Sequence, residues 1–282
     1  MKAPASAVRA GVRRGFTEFG ISLRTPSEAS YIGVGVVIVA VVLWLNRGAE
    51  LAPGVPTGAY VLASVLTIQL VFVSGYGLGT VIVTEREDGT LLRARSLPTG
   101  ILAYATGATT RTLAELLTTI GLTLVIAAVL LGPSLGLDWA DLAVVVGMLI
   151  VGIVALTTIG FVIGSVFRNP RSVGGWGFLA VGALAWFSGL IQPLASLPWW
   201  SQAIGQATPL YWVGLALRSA FLPDELAMLE ISESWRLPLA FAVVSAWAVV
   251  GLILAPVLIR RVARRETVAA IEARREAALQ RV

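Results

Sequence analysis

"AYVLASVLTIQLVFVSGYGLGTVIV", residues 59–83, runs directly into "TEREDGTLLRARSLPTG", residues 84–100. The first segment carries no charge and exceeds the ~20 residues with which a helix crosses a bilayer. Its apolar residues do not alternate with polar ones, as the short strands of a membrane barrel would. It reads as a spanning helix. The second segment, with Glu85, Arg86, Glu87, Asp88, Arg93 and Arg95, marks where the chain leaves the apolar layer.

Working outward, comparable apolar runs cover residues 29–45, 101–131, 142–167, 173–191 and 237–259. With 59–83 they predict an all-α integral membrane protein of six transmembrane helices. Of the 282 residues 57% are hydrophobic and 13% charged, and the mean hydropathy of +0.85 lies far from that of soluble chains. The chain divides into an N-terminal segment 1–28, a membrane domain 29–259 and a charged C-terminal segment 260–282. No cleavable signal peptide is expected, because the chain before Tyr31 is basic and amphipathic rather than a short apolar core with a small-residue cleavage site.

Composition removes much chemistry. Without cysteine or histidine there are no disulfides, thiol nucleophiles, imidazole bases or thiolate and imidazole metal ligands. Lys2 is the one lysine, so the chain holds no phosphate-binding loop of the G-x-x-x-x-G-K-[ST] kind. No catalytic, cofactor or metal site is expected. The net charge of +5 does not point to nucleic acid, because the arginines cluster beside the spans, where anionic headgroups and topology account for them.

Those arginines also orient the chain. Arg9, Arg13, Arg14 and Arg24 precede the first span, and Arg86, Arg93 and Arg95 follow the second. Arg168 and Arg171 follow the fourth, and Arg260, Arg261, Arg264 and Arg265 the last. With six spans all fall on one side, which the positive-inside rule makes cytoplasmic together with both termini. The opposite loops are mostly acidic, with Glu50, Asp138, Asp141, Asp224, Glu225, Glu230 and Glu233. Before the first span, Val12, Phe16, Phe19 and Leu23 recur at helical spacing among arginines, as in a helix lying in the membrane interface. A basic tail is the plainer alternative, since Gly11, Gly15 and Gly20 weaken a helix.

Thr84 and Glu87 have the spacing of a capping box, which predicts a short helix beginning at Glu85 and ending before Pro98. Its acidic first turn and basic last turn suit the helix dipole. Gly89 offers a different break, with Thr90 capping a turn that starts at Leu91. Either way the stretch holds more structure than a simple connection requires.

The acidic pair, Gly89-Thr90-Leu91, a short helix and Pro98, placed after the second span, resemble the cytoplasmic coupling helix of ABC-2 type transporter permeases. The stretch "IQPLASLPWWSQAIGQATPLYWVGLALRSAFL" after the fifth span is similar to that family's extracellular segment. Together with the spans and the amphipathic start, the resemblance covers nearly the whole chain and is nearest the daunorubicin-permease type of drug or lipid exporter. Arg93 stands where the family often has Glu. The resemblance implies a permease subunit in a bacterial inner membrane that exports hydrophobic or amphipathic molecules such as drugs, antibiotics or lipids. The assembly it implies has two ABC ATPase subunits, which bind ATP and Mg, and a second permease as homodimer or heterodimer. Glu85, Arg86, Glu87, Asp88, Gly89, Thr90 and Leu91 would be the contact with the ATPase. An extracellular re-entrant helical hairpin would lie between spans five and six.

Arg111 and Glu115 stand four apart on the third span and read as a local pair or a gate. Gln69, Phe72 and Tyr76 on the second span, with Trp176, Trp186 and Phe187 on the fifth, are candidates for the wall of a lipophilic pathway. An ion-coupled secondary transporter is the competing class. It would need a carboxylate deep in a span, and Glu115 comes nearest.

Overall fold

The computed structural model describes residues 2–265 except 53, 54, 89, 136 and 168. Most of the expected C-terminal segment, 266–282, lies outside the described residues. The chain runs α1 (Lys2–Ser22), α2 (Pro26–Asn46), a small antiparallel pair β1 (Glu50–Ala52) and β2 (Val55–Pro56), and α3 (Thr57–Glu87). Then follow α4 (Thr90–Ser96), α5 (Gly100–Leu131), α6 (Trp139–Val166), α7 (residues 170–187), α8 (Trp199–Ala207), α9 (Pro209–Phe221) and α10 (Leu237–Arg265). Among the described residues five helices are long and apolar enough to cross a membrane: α2, α3, α5, α6 and α10 through Ala255.

Three of these match expected spans closely, while α3 and α10 continue past their expected ends, to Glu87 and Arg265. The expected fifth span, 173–191, is different. Its helix starts at Pro170, where the Asn169 side chain accepts from the Ser172 N–H at 2.7 Å, and ends at Phe187. Gly189, at φ +70°, turns the chain out of the helix. Residues 170–187 are thus at the short end of what a bilayer crossing requires.

Many large apolar side chains point away from the protein, among them Val34, Val37, Ile38, Val125, Val129, Ile150 and Leu252. In lipid such a surface needs no cover, and helices associate through close packing and polar contacts instead. Gly160 of α6 shows the closeness: a Cβ there would come 2.8 Å from the carbonyl oxygens of both Ser74 and Gly75 on α3. The N-terminal helix uses the same device. Ala7, Gly11 and Gly15 are buried at four-residue spacing against α5, while Val8, Val12 and Phe16 face outward. The glycines that would weaken a free helix let this one approach its neighbour.

Helix α9 is enclosed by α3, α6 and α10. Every residue from Pro209 to Arg218 is buried, so its apolar character all round suits its place. The broken segment Pro193–Pro209 therefore packs against its own bundle, with α8 seated on α7 and α9.

Candidate functional site

The charged stretch after α3 is built differently from the capping-box expectation. Helix α3 continues without interruption through Glu87, and the Asp88 N–H bonds the Thr84 carbonyl inside it. Thr84 caps nothing. The amides that a capping box would satisfy are already bonded by the preceding turn, so the span itself carries the helix onward. The break falls at Asp88, and the separate short helix is α4, Thr90–Ser96. Gly89 and the Leu91 side chain lie outside the described residues.

Within this stretch the side chains divide by direction. The Glu85 carboxylate accepts from Arg14 Nη2 at 3.0 Å, tying α3 to the N-terminal helix. Arg14 also donates through Nε to Glu18 at 2.5 Å and lies 5.7 Å from the centre of the Tyr104 ring on α5. Partial burial works to lower the Arg14 pKa. The Glu18 hydrogen bond and the charges of Glu18 and Glu85 outweigh it, so the guanidinium is held above its ordinary value. Arg86 is buried and donates Nη1 to the Gly164 and Phe167 carbonyls, each at 3.0 Å, at the C-terminal end of α6. Those are carbonyls that the helix leaves without an internal partner. Glu87, Asp88 and Arg93 are exposed, and Thr90 is half-buried. The seven expected coupling residues therefore comprise an inward clamp, Glu85 and Arg86, and an outward acidic pair, Glu87 and Asp88.

Deeper in the bundle, residues Val71–Gly77 of α3 and Val173–Gly177 of α7 are π-helical, a distortion often found at functional sites. The first segment meets Phe178, the residue directly after the second, through aromatic rings. Phe72 and Phe178 are 5.4 Å apart between centroids, and Tyr76 and Phe178 are 6.1 Å apart. Of the expected pathway residues, Phe72 and Tyr76 thus come together, joined by Phe178. Gln69 turns to α5, donating to Thr123 Oγ1 at 2.7 Å. Trp176 and Trp186 are exposed on the outside of α7, and Phe187 packs edge-on against Trp200 at 5.6 Å.

Arg111 does not pair with Glu115, contrary to the local spacing rule. Its Nη2 donates to Glu28 of α2 at 2.7 Å. Glu115 instead lines a cavity of about 370 Å³ between α2, α3 and α5, together with Glu28, Tyr31, Tyr76 and Arg111. Glu28 and Tyr31 escaped the sequence reading. The available signal was an acidic residue, Glu28, placed directly before the first span.

At the other end of the bundle Arg218 and Glu230 form an ion pair, Nε to Oε1 at 2.5 Å, with both side chains at or below 1% exposure. Arg218 Nη1 reaches the Gly189 carbonyl at 3.4 Å, the Tyr60 hydroxyl donates to the same oxygen at 2.9 Å, and the guanidinium lies 5.3 Å from the Tyr60 ring. One buried cluster thereby joins α3, the end of α7, α9 and the loop before α10. Arg236 adds a second tie, donating to the Tyr211 hydroxyl at 2.8 Å. Glu230 read only as one of several loop acids in the sequence.

Comparison with known protein families matches residues 24–222 to the family described as ABC-2 type transporter. The match begins at the junction of α1 and α2 and ends at the close of α9. No curated protein matches the chain.

Proposed function

The chain belongs to the ABC-2 type transporter family, and on that premise we propose that it is the membrane subunit of an ATP-driven exporter of hydrophobic or amphipathic molecules. Membership makes it a multi-pass membrane component of an ABC-type transporter, a transport part rather than a catalytic one, that works with an ABC ATPase. Our reading adds two ATPase subunits holding ATP and Mg, and a second permease as homodimer or heterodimer. It further adds a bacterial inner-membrane location with both termini cytoplasmic, and drugs, antibiotics or lipids as cargo in the manner of daunorubicin-type permeases. Helix α7 would be the remaining span, and α8 with α9 the re-entrant hairpin.

The observation that carries this reading is the division of labour in residues 85–96. Glu87, Asp88 and Arg93 are exposed to meet a partner, while Glu85 and Arg86 anchor the same turn to α1 and α6. A push on the exposed acids would reach three helices through rigid connections, where a loose loop would absorb it. The paired π segments with Phe72, Tyr76 and Phe178 support a lipophilic pathway between α3 and α7. The test is co-purification of an ABC ATPase with the chain. Retained ATPase in the wild type and its loss with Glu87→Arg plus Asp88→Arg would support the reading. Equal retention in both would reject these residues as the contact.

A further inference from the structure

We infer that the cavity between α2, α3 and α5 is a binding site for organic cations with an apolar body, and that Glu115 supplies the charge they meet. The inference rests on the transport reading above for its physiological meaning, and on the cavity for its chemistry. At about 370 Å³ the space is within the range of small-molecule sites. Its charged lining comprises two carboxylates, Glu28 and Glu115, and one guanidinium, Arg111. Arg111 is committed to Glu28 at 2.7 Å, near the mouth of the cavity, where the Glu28 side chain is 47% exposed.

Glu115 is left over. Among the described residues it makes no hydrogen bond or ion pair, although it stands one helical turn from Arg111 and about 22 Å along α5 from Gly100. A carboxylate at such a position in a spanning helix is costly when the nearest positive charge, Arg111, is hydrogen-bonded to Glu28 and acts on it only through space. The neighbouring cluster of Arg14 with Glu18 and Glu85 also has more carboxylate than guanidinium, so it supplies no spare positive charge. A cationic ligand would supply one.

The remaining lining favours an apolar body on that cation. Tyr31 and Tyr76 contribute aromatic rings, a side-chain type that attracts organic cations, beside Ile32, Val73 and Val81. Tyr76 also belongs to the aromatic cluster of the π segments, so the cavity adjoins the pathway proposed between α3 and α7. The junction of α1 and α2, with Ser22 and Ser27, forms another wall. A cationic amphipath held there would sit beside the first residues of a route through the bundle.

The same chemistry could come from a free amphipathic amine or from an amine-bearing lipid headgroup. The experiment uses the full chain in dodecyl maltoside, without ATPase or nucleotide, and measures binding of tetraphenylphosphonium and of tetraphenylborate, its anionic counterpart of the same shape. Expected are a preference of at least about tenfold for the cation, a loss of about tenfold with Glu115→Gln, and about threefold with Tyr31→Leu at a position that is 62% exposed. Glu225→Gln, in an exposed loop, should leave the affinity unchanged. Displacement of the cation by added phosphatidylethanolamine would identify the lipid amine as the occupant, and failure to displace it the free amine. Equal binding of cation and anion, no binding of the cation, or an affinity unaffected by both Glu115→Gln and Tyr31→Leu would overturn the inference. Binding without any ATP-driven transport would overturn the exporter reading and leave the site standing.

Discussion

Replacing Glu230 with alanine would leave the Arg218 guanidinium buried with one long hydrogen bond, 3.4 Å to the Gly189 carbonyl, and the face of the Tyr60 ring at 5.3 Å. Breaking a buried ion pair in this way costs about 3–5 kcal/mol, because one charge remains out of water without its partner. Glu230→Gln also leaves the guanidinium without its countercharge but keeps an acceptor near Arg218 Nε, so its cost should be smaller than that of Glu230→Ala by about one neutral hydrogen bond, roughly 0.5–1.5 kcal/mol. The double replacement Arg218→Met with Glu230→Met removes both charges from an apolar setting and should approach the wild type. Stability can be followed by tryptophan fluorescence during unfolding in mixed dodecyl maltoside and SDS micelles, since the chain has nine tryptophans. The expected order of loss is Glu230→Ala first, then Glu230→Gln, then the double variant. A Glu230→Ala chain as stable as the wild type, or a double variant less stable than either single one, would refute the view that this pair is a mutually compensating buried latch.

Gly15→Ala would place a Cβ 2.5 Å from the Gly107 carbonyl oxygen and 2.6 Å from Thr110 Cβ, an overpacking cost of about 1–3 kcal/mol. Faster hydrogen exchange across α1, with α6 unaffected, is the expected signature. Arg86→Ala removes two charge-assisted hydrogen bonds to the end of α6, worth about 1.5–3 kcal/mol each, and should lower stability measurably by the same unfolding assay. Glu87→Arg with Asp88→Arg changes exposed positions and should stay within about 0.5 kcal/mol of the wild type. For topology, single cysteines at Asp88 and Met228, in a chain with none of its own, should label respectively only after permeabilisation and from outside intact cells. The reverse pattern would invert the orientation.

The helical membrane fold was legible because long uncharged runs such as 59–83 leave a chain few other options in lipid. Arrangements that depend on what lies across the bundle were not. The spacing of Thr84 and Glu87 fits a helix start and a helix interior equally well, and only the preceding turn decides between them. Arg111 satisfied the four-residue rule with Glu115, yet it reaches Glu28 on another helix near the rim, where an ion pair loses less hydration. Arg218 and Glu230 are separated by a change of direction that no periodicity encodes. The glycine-rich stretches 75–79 and 173–177 lie in or beside π-helical turns, which no hydrophobic spacing announces. For Phe72 and Tyr76, four apart on one helix, the sequence suggested a shared wall. The part supplied by Phe178 depended on how α7 docks.

The most direct test of an ATP-driven permease is transport by the chain in sealed vesicles with its ABC ATPase, using tetraphenylphosphonium as the probe. Movement should require both subunits and ATP, and hydrolysis should rise when the probe is added. No hydrolysis is expected of the chain alone. Probe movement driven by an ion gradient, without ATPase or nucleotide, would contradict the account and favour ion coupling through Glu115.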